Sequence, residues 1–307
     1  MSEKTIETID LTKEFKLRSS GLTAPKTIKA VDNVSLTINK GEVLGLVGES
    51  GSGKTTIARL IMGLIKPSSG SIEYHDDRSE IRPQMIFQDP YSSLNPRKRI
   101  VEILSLPINV HLKQMGQTDK INLIVETLKL VGLDQSILDR YPHEFSGGQR
   151  QRIGIARAII LNPSIIICDE PVSALDVSIQ AQILNLLNDL KKRFNLSYLF
   201  ISHDLSVVNH IADRIAVCYL GQIVEEGDKE TIFTSPLHPY TKLLLSSIPE
   251  NYISNNKKNI QVEQASELNS DGCLFYNRCS QKRPKCTQES PPILTSESGH
   301  KYRCFYP

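Results

Sequence analysis

The sequence predicts an α/β protein with a mostly parallel sheet, a helical insertion in the middle of the chain and a small C-terminal extension that contains cysteines. Three observations support this fold class. Short apolar strands alternate with helical patterns on both sides of the chain's centre, as is typical of buried parallel sheets. Residues 89–161 carry helical patterns instead, and four of the six cysteines lie in the last 35 positions. One large α/β core with two additions is therefore expected.

Length and charge limit the possible functions. A chain of 307 residues can bury one large core and a smaller appendage. Its formal net charge is +2, so bulk electrostatics do not indicate binding to nucleic acid. The polar residues 1–4 are unlike a secretory signal, and the longest apolar runs, such as residues 165–168, are strand-sized. We expect a soluble, intracellular chain that reaches a membrane only through a partner.

The first part of the chain predicts strands separated by polar turns. Apolar residues alternate or run together over four stretches, and glycine, proline and asparagine mark the connections. The predicted strands are residues 6–11, 30–38, 42–47 and 84–87. The predicted loops and turns are residues 16–26, 39–41 and 68–70.

A glycine-rich loop follows the strand at residues 42–47. Residues 48–55 read GESGSGKT and fit the pattern G-x-x-x-x-G-K-[ST]. One apolar helix face follows, made by Ile57, Leu60, Ile61 and Leu64. Strand, loop and helix N-terminus aim backbone N–H groups at one point, which attracts phosphate, and glycines allow the ligand to approach closely. A nucleotide-binding loop is therefore predicted in preference to an ordinary glycine-rich turn.

Two side chains of this loop have distinct predicted roles. Lys54 would reach the β- and γ-phosphates, and the Thr55 hydroxyl would ligate Mg²⁺. The positions predicted to contact the nucleotide are Gly48, Ser50, Gly51, Ser52, Gly53, Lys54, Thr55 and Thr56.

The middle of the chain predicts a helical insertion between strands. Three stretches have helical spacing, at residues 100–106, 121–131 and 148–161. Helix-breaking residues separate them, namely Pro107, Gly132 and the pair at residues 141–142.

Strand character returns in the second half of the chain. Predicted strands are residues 165–168, 198–202 and 215–220, and a turn at residues 221–222 leads into residues 223–225. A helix over residues 179–190 separates the first two strands. Residues 251–271 are polar and predict a linker.

Two further stretches carry candidate chemistry. Asp169 and Glu170 follow a buried strand, where Asp169 can hold Mg²⁺ and Glu170 can polarise a water that attacks the γ-phosphate. The alternative is a pair of solvated loop acids. Ser146, Gly147, Gly148 and Gln149 open a helix with a good N-cap and bare glycine amides, which can form a second anion site or simply a capped helix.

The order of these motifs resembles the ATP-binding subunits of ABC transporters. The motifs are the phosphate loop, Gln88, residues 146–149, residues 169–170, residues 173–176 and His203, and the resemblance covers roughly residues 5–250. It implies an ABC-type P-loop NTPase core at residues 1–235, with a helical subdomain at about 89–161, and a C-terminal extension at residues 236–307. It also implies an ATPase that uses ATP and Mg²⁺.

The resemblance further implies roles for individual residues. Phe15 would stack on adenine, although it could instead be a core phenylalanine. Gln88 would contact Mg²⁺ or the attacking water, Glu170 would be the general base, and His203 would contact the γ-phosphate. In that family two subunits pair head to tail, so that residues 146–149 would face the partner's phosphate loop and Asp176 would cross the dimer interface.

Two segments resemble one branch of the family. Residues 141–145, YPHEF, and residues 238–244, HPYTKLL, are similar to oligopeptide and dipeptide importer ATPases. Nickel and metallophore importers share this branch and remain an alternative. The branch implies a peripheral subunit at the cytoplasmic face of the membrane. Its implied partners are a second, different ATPase chain, two integral membrane permease subunits and, indirectly, an extracytoplasmic substrate-binding protein. The segment at residues 88–96, which leads into the helical insertion, is expected to transmit the opening and closing to the membrane partners.

A soluble ABC ATPase that acts on ribosomes or DNA is disfavoured. DNA-repair relatives carry a long coiled coil between the positions of Gln88 and Ser146, and only about sixty residues lie there. Ribosomal relatives carry two ATPase domains in one chain, and this chain has one phosphate loop.

The cysteines fall into two groups. Cys168 and Cys218 lie in apolar strands and are expected to be core residues. Cys273, Cys279, Cys286 and Cys304 follow the spacing C-x5-C-x6-C-x17-C. In the cytosol a disulfide framework is not expected, and structural zinc usually shows closer pairs. The peptide-importer branch has similar cysteine tails, and this resemblance favours a [4Fe–4S] cluster, while zinc and ordinary thiols remain alternatives.

Overall fold

The computed structural model describes residues 3–16, 27–75, 83–248 and 272–307. Residues 17–26 of the loop predicted at residues 16–26, and the whole linker predicted at residues 251–271, lie outside the described residues. The chain divides into two compact units. The first contains Met1–Glu7, Thr37–Glu42 and Glu73–Ile201, and the second contains Thr8–Leu36, Val43–Ile72 and Ser202–Pro307.

The described part of the chain contains strands and helices in alternation. In chain order the strands are β1 (Lys4–Lys16), β2 (Thr27–Asn39), β3 (Val43–Val47), β4 (Ser69–Tyr74), β5 (Gln84–Ile86), β6 (Ile165–Asp169), β7 (Ser197–Ser202), β8 (Arg214–Tyr219), β9 (Gln222–Asp228), β10 (Leu294–Thr295) and β11 (Lys301–Tyr302). The α-helices are α1 (Lys54–Ile61), α2 (Pro90–Ser93), α3 (Ile100–His111), α4 (Gln117–Leu130), α5 (Gly147–Ile159), α6 (Val177–Phe194), α7 (Leu205–Ile211), α8 (Lys229–Thr234), α9 (Pro239–Ser246) and α10 (Lys285–Gln288). No helix among the described residues is both long and apolar enough to cross a bilayer.

The strands β1, β2 and β4 form a three-stranded sheet with β1 in the middle. The turn predicted at residues 68–70 is wrong in part, because β4 already begins at Ser69. Gly70 lies within this strand with a φ of 82°, and a Cβ there would sit 2.4 Å from the carbonyl oxygen of Asp10. Glycine at this position therefore allows a close approach of the two backbones.

In the first unit, three parallel strands form the core. β6 pairs with β5 on one side and with β7 on the other. Every residue of β6 and β7 is buried. Continuous apolar strands of this kind need cover on both faces, which agrees with the predicted parallel α/β core.

The helices at residues 90–159 pack on one another in the same unit, where one predicted helix end is wrong and one helix had no prediction. Pro107 does not end a helix, because α3 continues through it to His111. The buried face formed by Ile100, Ile103, Leu104 and Ile108 runs past the proline, and its burial outweighs the lost hydrogen bond. The short helix α2 was not predicted. Asp89 caps it by accepting hydrogen bonds from the backbone N–H groups of Tyr91 and Ser92.

In the second unit, β3 lies beside β8 in parallel, and β8 continues as an antiparallel hairpin into β9. All five residues of β3 are buried. The helix α1 ends earlier than its apolar pattern predicts, because Gly63 adopts a φ of 68° just after it. Leu64 was predicted on the buried face but is 60% exposed.

The C-terminal extension adds strands to this hairpin. β11 pairs antiparallel with β9, and β10 pairs antiparallel with β11. No strand was predicted in the extension, since β10 and β11 have two residues each, too few for alternation to be visible. The extension is thus hydrogen-bonded to the hairpin that β8 begins, beside the strand that leads into the phosphate loop.

Candidate nucleotide-binding site

The loop at residues 48–53 has the backbone conformation that its glycines were predicted to allow. Gly48, Gly51 and Gly53 all have positive φ angles, of 152°, 80° and 106°. A Cβ at Gly48 would lie 2.1 Å from the carbonyl oxygen of Cys218, and one at Gly53 would lie 2.4 Å from that of Ala30. The loop is therefore shaped by glycine, as a loop that wraps phosphate requires.

Lys54, the first residue of α1, is buried against this loop. Its Nζ donates hydrogen bonds to the carbonyl oxygens of Gly48 at 2.7 Å and Glu49 at 2.8 Å. The ammonium group is thus held inside the curve of the loop, where the predicted phosphates would bind. Thr55 and Thr56 follow in the first turn of α1 and are partly exposed.

The two acids that end β6 lie in the first unit. Asp169 is buried, and Glu170 follows with a φ of 48°, an uncommon conformation for a residue other than glycine. The Glu170 N–H donates to the carbonyl oxygen of Ile201 at 3.0 Å. The Nε2 of Gln88 donates to a Glu170 carboxylate oxygen at 2.9 Å. Gln88, predicted to contact Mg²⁺ or the attacking water, is therefore in direct contact with Glu170, the predicted general base.

The predicted cap of α5 is confirmed. The Ser146 hydroxyl accepts a hydrogen bond from the Gln149 N–H at 3.3 Å, and the Gln149 side chain accepts one from the Ser146 N–H at 3.1 Å. Gly147 and Gly148 form the first turn, and a Cβ on Gly148 would lie 2.7 Å from the Ile179 side chain. The glycines thus allow α5 and the start of α6 to lie close together.

The remaining predicted nucleotide contacts lie on exposed positions. Phe15 is 42% exposed near the end of β1, with the Lys13 ammonium 5.3 Å from its ring centroid, so the alternative of a core phenylalanine is wrong. His203 is exposed directly after β7. Asp176 is exposed at the N-cap of α6. These positions are exposed, and the roles predicted for them remain predictions.

The four C-terminal cysteines line one cavity in the second unit. All are free thiols of intermediate exposure, and the same cavity is lined by His238, Phe275 and Tyr306. In this described region no three of the sulfurs lie within 4.8 Å of one another. Four thiolates on one zinc ion would be about 3.8 Å apart, given a Zn–S bond of about 2.3 Å and tetrahedral geometry. The arrangement is wider than a zinc site requires.

Burial disfavours the charged forms of four groups at this cavity, namely three of the thiols and one histidine. It raises the pKa of Cys273 to about 11 and also raises the pKa values of Cys279 and Cys304. It lowers the pKa of His238 to about 3, and the neutral ring accepts the Tyr240 N–H at Nδ1. Because metals bind thiolates, any metal bound here must displace protons from these thiols.

One set of contacts at the phosphate loop could not be predicted from the sequence. The Glu49 side chain in the phosphate loop is held by Arg278 of the C-terminal extension, 229 positions later in the chain. The Glu49 N–H also donates to the Tyr240 hydroxyl at 2.9 Å. No motif or spacing relates positions so far apart, so only the folded chain reveals them.

Comparisons with known proteins agree with this geometry. Residues 31–173 match the family described as "ABC transporter", and residues 224–286 match the family described as "Oligopeptide/dipeptide transporter, C-terminal region". The chain is similar to the oligopeptide transport ATP-binding protein AppF of Bacillus subtilis (strain 168), with 46% identity over 98% of this chain and 97% of that protein. It is 48% identical to OppF of Salmonella typhimurium, over 92% of this chain and 89% of that protein. It is 42% identical to the dipeptide transport ATP-binding protein DppF of Haemophilus influenzae, over 98% and 96%.

Solved structures show the same fold. A dimeric post-hydrolysis state of the ATP-binding cassette MJ0796, bound to ADP and phosphate, is 30% identical with a TM-score of 0.63, over 73% of this chain and 98% of that one. The ADP conformation of the cassette MJ1267 has a TM-score of 0.64 at 23% identity, over 80% and 100%, and this likeness concerns the fold alone. The fold class and the resemblance predicted from the motifs are thus confirmed. The chain belongs to the ABC transporter family, in the branch of oligopeptide and dipeptide transport ATP-binding proteins, and is an ABC-type ATPase.

Proposed function

We propose that this chain hydrolyses ATP to power uptake of oligopeptides or dipeptides through membrane partner subunits. One observation carries the proposal: a loop shaped for phosphate occurs in a chain whose residues 224–286 match the oligopeptide/dipeptide transporter region. The relatives named above are peptide transport proteins, which supports the substrate class. Import of nickel or a metallophore by the same branch is the second candidate.

Each unit contributes its own groups to the proposed chemistry. In the second unit the phosphate loop and Lys54 would bind the phosphates, and the Thr55 hydroxyl would be a ligand for Mg²⁺. In the first unit, Asp169 and the amide oxygen of Gln88 would be further ligands for Mg²⁺. Hydroxyl, carboxylate and amide oxygens are the hard donors that Mg²⁺ prefers, so the donor set fits the ion. When bound, Mg²⁺ offsets phosphate charge.

Glu170 is the proposed general base. Its carboxylate takes a proton from the water that attacks the γ-phosphate, and the hydrogen bond from Gln88 holds the carboxylate in one orientation. His203 contacts the γ-phosphate, and Phe15 stacks on the adenine ring. The roles of His203 and Phe15 rest on the family's motifs, and the role of Glu170 rests also on its contact with Gln88.

The proposed partners fit the exposed surfaces. Residues 146–149 and Asp176 would contact a second ATPase subunit, so that ATP is held between two chains and its hydrolysis releases them. Exposed apolar side chains in the first unit support docking to two permease subunits at the cytoplasmic face of the membrane. They are Phe87, Tyr91, Leu106 and Val110. We further propose that the partner ATPase is a different chain and that a substrate-binding protein delivers the peptide.

Uptake in cells tests the proposed substrate. Cells that lack this chain should lose uptake of labelled oligopeptides or dipeptides while uptake of nickel remains, and the intact gene should restore it. The matched control is rescue with the Glu170→Gln variant, which should fail although the protein is present. Loss of nickel uptake with normal peptide uptake would instead establish the second candidate.

We also propose that Cys273, Cys279, Cys286 and Cys304 hold a [4Fe–4S] cluster. All four thiols line one cavity, and their sulfurs are too far apart for a preformed zinc site. A cluster with one cysteine on each iron spreads its ligands more widely. Its negative charge would lie beside Lys282 and Lys285, two basic residues of the same extension.

Protein purified without oxygen should be brown and contain iron. Cys286→Ser should lose most of the iron, because it removes one of four ligands. Cys168→Ala should keep it, because Cys168 is buried in β6 and belongs to the other compact unit. Iron analysis and the visible absorption spectrum measure both outcomes. Colourless wild-type protein that contains zinc would reject the cluster.

A further inference from the structure

Arg278 joins the cysteine-containing extension to the phosphate loop. It lies at the end of a short 3-10 helix, Tyr276–Arg278, directly before Cys279. Its two terminal nitrogens donate to the two carboxylate oxygens of Glu49 at 2.7 and 2.8 Å. The Arg278 side chain is 9% exposed and that of Glu49 is 44% exposed. The pair is bidentate and its arginine is almost fully covered, so it is stronger than an ordinary surface ion pair although its glutamate is partly exposed.

Aromatic rings fix the arginine in place. Its guanidinium carbon lies 5.8 Å from the ring centroid of Tyr219, 6.0 Å from that of Tyr240 and 5.7 Å from that of Phe275. These rings also contact one another, with centroids 4.5 to 5.5 Å apart. The guanidinium group therefore has one well-defined position from which it can orient Glu49.

Glu49 is held by the side chains of three other residues. Arg278 binds its carboxylate, the Tyr240 hydroxyl accepts its backbone N–H, and its carbonyl oxygen accepts a hydrogen bond from Lys54. The first two contacts come from the C-terminal part of the chain, and the third reaches the lysine that binds phosphate. A change in the position of Glu49 would therefore alter the hydrogen bond that the Lys54 ammonium donates to it.

The charges of Arg278 and Glu49 also link the extension to the binding of phosphate. Glu49 places a carboxylate in a loop whose ligand is a polyanion, so an unpaired Glu49 would repel the triphosphate. Arg278 neutralises that carboxylate. The guanidinium group is permanently charged at physiological pH, and the adjacent carboxylate raises its pKa further.

We propose that Arg278 is a positioning residue for ATP binding: by pairing with Glu49 it fixes the position of that carboxylate and removes a repulsive charge from the phosphate loop. The cysteine-containing extension thereby contributes to the affinity for ATP. This role is separate from whatever the cysteines bind.

Titration of the full-length chain with ATP and Mg²⁺ tests the proposal. Arg278→Gln should weaken ATP binding about tenfold, the size expected for loss of one charge-assisted pair. The defect should shrink in high salt, because salt screens the repulsion by Glu49. Arg283→Gln is the matched control, because it removes the same charge from the same extension at a residue that stacks on Tyr306. It should bind ATP as the wild type does.

The double variant Glu49→Gln/Arg278→Gln separates this role from a purely structural one. It should recover most of the lost affinity, since no unpaired carboxylate remains in the loop. Affinity as low as that of Arg278→Gln alone would overturn the proposal, because Arg278 would then act only by packing on the aromatic rings. Unchanged affinity in Arg278→Gln would overturn it as well. Thermal unfolding of each variant shows whether a loss of affinity comes from loss of the fold.

Discussion

Lys54→Ala is expected to remove most of the affinity for ATP. The Lys54 ammonium lies inside the phosphate loop, where it donates to the carbonyl oxygens of Gly48 and Glu49. Contacts between this ammonium and the β- and γ-phosphates are charge-assisted, and their loss should cost about 3 kcal/mol or more, which is roughly a 100-fold weaker affinity. Calorimetric titration with ATP and Mg²⁺ measures the change.

Lys66→Ala provides the control for this experiment. Lys66 is an exposed lysine shortly after α1, so the variant loses the same charge without altering the loop. It should bind ATP normally. Thermal unfolding should show that Lys54→Ala remains folded, since the phosphate loop is shaped by its glycines and the neighbouring strands. Normal ATP binding by Lys54→Ala would contradict the assignment of residues 48–56 as the nucleotide site.

Glu170→Gln should bind ATP but hydrolyse it at least about 100-fold more slowly, because an amide cannot accept the proton of the attacking water. The substitution preserves the local geometry. Gln88 donates to a Glu170 carboxylate oxygen, and a glutamine carbonyl oxygen can accept the same hydrogen bond. Phosphate release by membranes that carry the assembled transporter measures turnover, and titration of the purified chain measures binding.

Glu126→Gln is a suitable control for hydrolysis. It changes an exposed acid on α4 in the same unit as Glu170, and turnover should stay at the wild-type level. Near-normal turnover by Glu170→Gln would exclude this residue as the general base. Loss of ATP binding by the same variant would show that Glu170 acts on affinity, which the proposed mechanism does not allow.

The phosphate loop was predictable from sequence because its chemistry is local. Gly48, Gly51 and Gly53 lie within six positions of one another, and each has a positive φ that other residues rarely adopt. The strand before them and the helix after them are equally visible in short windows. The cap formed by Ser146 and Gln149 was predictable for the same reason, since both residues lie within one turn of α5.

Predictions of where elements end were less accurate. A proline usually ends a helix, yet α3 passes through Pro107, because the buried face on both sides of it stabilises the helix. Apolar spacing placed Leu64 on α1, yet Gly63 ends the helix first and leaves Leu64 exposed. Gly70 was assigned to a turn but lies in β4, where it contacts the backbone of β1. At Pro107 and Gly70 tertiary contacts outweigh a local preference, whereas at Gly63 one local signal, the glycine, outweighs another, the apolar spacing.

By itself the sequence determined that the chain has a nucleotide-binding loop, a parallel α/β core, a helical insertion and a tail with four cysteines. Tertiary structure alone decided that these cysteines share one cavity, that Gln88 binds Glu170, and that Arg278 of the tail holds Glu49 of the phosphate loop. The reason is physical. Backbone conformation depends on neighbouring residues and can be inferred from their pattern, whereas a contact across 229 positions depends on how the whole chain packs.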